Sequence, residues 1–83
     1  MTFNTTQRMT AKHLYALISA MPPDQRQAVA LVLTSLGLMT EDGFLGGDNQ
    51  DFFALCYDVL AGTCLAVKML GDDDVIARVT AAT

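Results

Sequence analysis

Basic residues are scarce in this chain, five against nine acidic ones for a formal net charge of −4. Arg8, Lys12, Arg26, Lys68 and Arg78 are scattered. No run of them could neutralise several phosphates at once, which excludes nucleic acid as the expected partner. Histidine occurs once, as His13, with no motif around it. Nucleophilic catalysis needs a base held beside the nucleophile, so no catalytic residue is assigned and the chain is expected not to be an enzyme. Cysteine occurs twice. Cys56 and Cys64 lie eight residues apart on one predicted helix, roughly 12 Å of rise, too far for a mutual disulfide and at no zinc-ligand spacing. Buried free thiols are expected, with no metal and no cofactor. Repeats, low-complexity tracts and linkers are also missing. The opening residues Met1 to Thr6 carry neither the charged nor the apolar region of a signal peptide, so the expected compartment is the cytoplasm.

Apolar residues are plentiful by contrast. Of 83 residues, 52% are hydrophobic and only 17% charged. A chain this short folds around one core and buries a modest share of its surface, so some apolar side chains must reach solvent, where a large patch marks a partner. The acids Glu41, Asp42, Asp48 and Asp51 offer that partner an acidic surface, which suits a basic protein.

The patterning is helical. Residues 1–9 read as a flexible N-terminal arm and 10–83 as a single helical domain. Thr10 offers a cap, and Leu14, Leu17, Ile18 and Met21 fall on one helix face. Pro22-Pro23 ends that helix and opens the next, with Asp24 in its first turn and a second stripe of Val29, Val32, Leu33 and Leu36. Gly37-Leu38 reads as its stop. Residues 39–47, with three glycines and two acids, read as a loop, after which Asp48 supplies a cap.

Helix three, Phe52 to Leu70, contains only two formal charges, Asp58 and Lys68. Twelve of its residues, from Leu55 through Phe52 and Phe53 to Tyr57, span an apolar arc of roughly 200°, about twice what an ordinary surface helix requires. The arc holds two stripes: Phe53, Tyr57, Leu60 and Cys64, and beside it Phe52, Cys56, Val59 and Thr63. The first carries Tyr57, whose hydroxyl can stay wet at a rim, and is expected to face outward as a partner or dimer interface. Gly71 breaks the helix, and Asp72-Asp73-Asp74 begins a last one that docks through Val75, Ile76 and Val79. The expected fold class is therefore all-α: a small bundle of three main helices plus a short C-terminal helix, around a long central helix three.

Two motifs touch known chemistry. Thr40-Glu41-Asp42-Gly43 resembles part of a calcium hand, but aligning Gly43 to the loop glycine puts Leu38 and Asn49 at the first and twelfth ligand positions, where carboxylates are required. Gly46-Gly47-Asp48-Asn49 before a long apolar helix resembles the prosthetic-group site of acyl and peptidyl carrier proteins. The attachment serine of that family is replaced by Asn49 and the following leucine by Gln50, and the preceding loop is shorter. The resemblance implies at most an orphan carrier-like protein with no attached phosphopantetheine. Helix three also approaches the roughly 20 residues of a membrane span, with Asp58 near its middle costing about 2.5–3.5 kcal/mol on insertion. A bundle helix is expected over a membrane-active protein. Function then falls to binding: a regulator, inhibitor, antitoxin or adaptor of the size that phages and mobile elements encode, acting on another protein or as a homodimer.

Overall fold

The computed structural model describes residues 10–82, so residues 1–9, read above as an arm, and Thr83 lie outside the described residues. The fold is all-α, and the described residues form four helices and one small hairpin: α1 (Ala11–Ser19), α2 (Pro23–Ser35), β1 (Met39–Thr40), β2 (Gly43–Phe44), α3 (Gln50–Leu70) and α4 (Asp72–Ala82).

Each boundary has a local cause. The Thr10 hydroxyl accepts from the His13 amide at 3.3 Å, while the Thr10 amide donates back to His13 Nδ1 at 3.3 Å. This is a capping box with histidine in the place usually held by Glu or Gln. Pro22 ends the first helical segment and Pro23 opens α2, where its missing N–H leaves no bond unmade. α2 stops in a Schellman arrangement: the Leu38 amide reaches the Leu33 carbonyl and the Gly37 amide reaches Thr34, both at 3.0 Å. Gly37 has φ +75°, in the left-handed region that glycine enters without penalty.

The segment expected to be loop is partly sheet. Met39 pairs with Phe44 and Thr40 with Gly43 in an antiparallel hairpin turned by Glu41 and Asp42. The Thr40 hydroxyl accepts from the Asp42 amide at 3.2 Å and so stabilises the turn. A two-residue strand presents too few alternating positions to register as strand periodicity. The cap of α3 is Asn49 and not Asp48, its side chain accepting from the Asp51 amide at 3.0 Å and the Phe52 amide at 3.2 Å. The C-terminal helix, at 11 residues, is longer than α1, at nine.

The core has two parts. The larger joins Leu14 of α1, Val29 and Leu33 of α2, and Phe53, Cys56 and Leu60 of α3, with Leu17, Ile18, Met21 and Phe44 packed against it. The smaller joins Ala28, Val67 and Val75 where α2, α3 and α4 meet. Ala28 is fully buried there, whereas Leu36, the last residue of the expected α2 stripe, is exposed at the helix C-cap.

Candidate functional site

α3 is held as one long rod by both ends. Asn49 caps it, Asp51 in the first turn and Lys68 in the last complement its dipole, and Gly71 stops it at φ +88°. α1, α2 and α4 all pack against it. The side chains buried by those neighbours are Phe53, Cys56, Leu60, Thr63 and Val67. Their steps alternate three and four, which keeps them on one line along a helix. Thr63 is accommodated there because its hydroxyl donates to the Val59 carbonyl at 2.7 Å.

This arrangement corrects the expected interface. Phe53 and Leu60 are 3% and 4% exposed, at the centre of the chain's own core, and Tyr57 and Cys64 are half-buried beside them. The inward line takes Phe53 and Leu60 from one stripe and Cys56 and Thr63 from the other, because neighbours flank α3 on both sides and cover both stripes. Phe53 sits in an aromatic chain, edge-on to Phe44 at 6.2 Å and to Phe52 at 5.4 Å, with Tyr15 tilted against Phe44 at 5.2 Å. Cys64 Sγ lies 3.8 Å from Met21 Sδ, across to the segment joining α1 and α2.

The uncovered face lies opposite. Leu55, Asp58, Gly62, Leu65 and Met69 repeat the same three-four step two residues out of phase, about 200° around the helix. All five are exposed, Leu55 at 51%, Leu65 at 59% and Met69 at 74%. Ala61 is exposed alongside them and Ala54 half-buried. Asp58 is the one charge in this row; Lys68 borders it ten residues on. Neither makes an ion pair with another described residue; Asp74–Arg78, at 3.2 Å on α4, is the pair the described residues form. The signal for this face was present in Leu65 and Met69, but Asp58 and Gly62 between them dilute it below the richer inward arc.

The acidic residues Glu41 and Asp42 occupy the hairpin turn and Asp48 and Asp51 the start of α3, all exposed. The two elements are joined through Phe44 and Phe53. Among the described residues no cluster of three or more His, Cys, Asp or Glu is placed to hold a metal ion. Both cysteines are free. Burial pushes the Cys56 thiol above its ordinary pKa; it raises Cys64 as well, with the Lys68 ammonium pulling the other way. Asn49, at the position of the carrier-family serine, is engaged in capping α3.

α3 is, by length and composition, long and apolar enough to cross a membrane, and only 28% of its most apolar window is buried within the chain. Comparison with family models, with curated proteins and with solved structures finds no match to this chain.

Proposed function

We propose that this chain is a non-enzymatic protein-binding module, a small regulator, inhibitor or adaptor whose contact surface is the outer face of α3. One observation carries this reading: the longest and most apolar helix of the bundle leaves Leu55, Leu65 and Met69 in solvent along a single line, on the side away from every other helix. Scattered exposed leucines need no explanation, but a row of them on one rigid rod is a surface whose exposure to water is unfavourable until something covers it. The exposed acids at the hairpin and the start of α3 favour a partner with basic residues at the rim.

The test is to size the purified chain and its Leu65→Asp variant by light scattering over a concentration series, and to float both with lipid vesicles. Association of the wild type, lost in a variant of unchanged helicity, supports the reading. A wild type that stays monomeric, binds no protein through this face and leaves the vesicles alone overturns it. The length and hydropathy of α3 favour a second reading, insertion into a membrane, for which flotation of the wild type with vesicles is the deciding result.

A further inference from the structure

We infer that the occupant of this face is a second copy of the same chain, with the two α3 helices packed antiparallel about a two-fold axis on the outer face, at the level of residue 63 along the helix. The inference rests on the contact-surface reading above and commits its occupant to a second copy in place of a partner with a basic rim. Its warrant is the position of the two charges. Asp58 and Lys68 are the only charged residues of α3 beyond its first turn; both are exposed and neither pairs with another described residue. Ten residues separate them, about 15 Å along the helix.

An antiparallel two-fold placed midway sets Asp58 of each copy level with Lys68 of the other, making two equivalent ion pairs. A parallel pairing sets Asp58 against Asp58 and Lys68 against Lys68, which repel. Of the two ways a helix can pair with itself in register, the charges therefore select one. Such an interface is isologous, each contact occurring twice.

The apolar residues fit the same axis. Ala61 of one copy comes level with Leu65 of the other, a small side chain receiving a large one on each side of the two-fold. Met69 lies within one turn of the other copy's Leu55. Gly62 is nearest the crossing point, and no heavy atom lies within 4 Å of where a Cβ would stand. Small residues at a crossing let the helix axes approach toward the short end of the usual ~8–10 Å. Between Leu55 and Met69 the face and its edge carry one acid and one base, which antiparallel packing sets against each other, while Asp51 continues the same line in the first turn, beyond the overlap of the two helices. The remaining acids of the hairpin and α4 lie on other elements.

The experiment uses the full chain and two sets of variants, each checked for unchanged helicity. Asp58→Lys alone and Lys68→Asp alone each juxtapose like charges and are expected to raise the dimer dissociation constant about tenfold or more, while the double exchange restores it to within a fewfold of wild type. In a Cys64→Ser background, Gly62→Cys is expected to form an intermolecular disulfide under mild oxidation. Leu55→Cys is not, because antiparallel packing separates the two copies of position 55 by about 24 Å, beyond the ~7 Å a disulfide spans. Cross-linking at both positions means parallel packing and overturns the inference. So does a dimer sensitive to Leu65→Asp yet indifferent to both charge reversals, an outcome that leaves the contact-surface reading standing. A monomer at every concentration overturns the second copy as occupant. Combined with vesicle binding, it transfers the face to lipid.

Discussion

At the scale of single residues, Leu60 and Leu65 lie five positions apart on α3 and are opposite in fate. Leu60 is buried among Leu14, Leu33 and Phe53; Leu65 is in solvent. Leu60→Asp strands a carboxylate with no partner and is expected to cost at least about 4 kcal/mol, a large part of the ~5–15 kcal/mol that holds a domain together. A far-ultraviolet spectrum should show it unfolded, whereas Leu65→Asp should keep its helicity. The thiols give a second outcome. Cys56 is fully buried and its pKa lies above the ordinary value of 9.0. Unfolding then exposes a group that ionises more easily than in the folded chain. Its contribution is fully present below about pH 9 and is lost as pH rises from there through the folded value. The melting temperature should fall over that range, and Cys56→Ala should flatten the fall while lowering the plateau. The sequence discloses residue type more than direction here: Cys56 is legible as a buried free thiol, whereas Tyr57, with a hydroxyl suited to a wet rim, points Phe53 and Leu60 outward although the core buries them.

At the scale of elements, the helix ends were legible because caps and stops are chemically explicit. Thr10, Pro22-Pro23, Gly37 and Gly71 all act where their side chains or backbones predict. Asp48 and Asn49 are adjacent and equally good cap residues by type, so only the geometry separates them. Asn49→Ala should lower stability by about 1 kcal/mol, and Asp48→Ala should leave the melting temperature in place, since its side chain holds no amide of α3. Gly71 is the sole residue between α3 and α4, and its φ of +88° with ψ of 152° belongs to a region open essentially to glycine alone. Gly71→Ala should cost about 1–3 kcal/mol although nothing crowds the site, a loss read from a denaturation midpoint. The hairpin was not legible, because its four paired residues are outnumbered by turn-forming neighbours. Nor was Ala28, since alanine reads as neutral on any face until α4 is seen to close over it.

At the scale of the whole molecule, the surplus of apolar residues forecast by composition is real, but it has been divided differently from the forecast. Three helices and the hairpin are enough to wrap both apolar stripes of α3, because α4 and the hairpin extend the cover beyond what α1 and α2 supply. The uncovered line on the outer side of α3 is Leu55, Leu65 and Met69, interrupted by Asp58 and Gly62. Those interruptions lower the apolar content of the line, and in the pairing proposed above they supply the charge and the close approach that choose the partner. The consequence is a link between stability and concentration. A chain of this size buries little of its surface alone, so covering the outer face of α3 should add materially to a small margin. Anything that binds the folded state and not the unfolded one stabilises it by mass action. Self-association through α3 therefore requires the melting temperature to rise with chain concentration, by a few degrees for each tenfold increase above the dissociation constant. Leu65→Asp should abolish that slope and leave the dilute-limit melting temperature nearly unchanged, because Leu65 belongs to neither core cluster. Differential scanning calorimetry across a hundredfold concentration range measures both quantities in one series. A wild-type melting temperature independent of concentration would remove self-association from this face, and a lowered dilute-limit value for the variant would return Leu65 to the core.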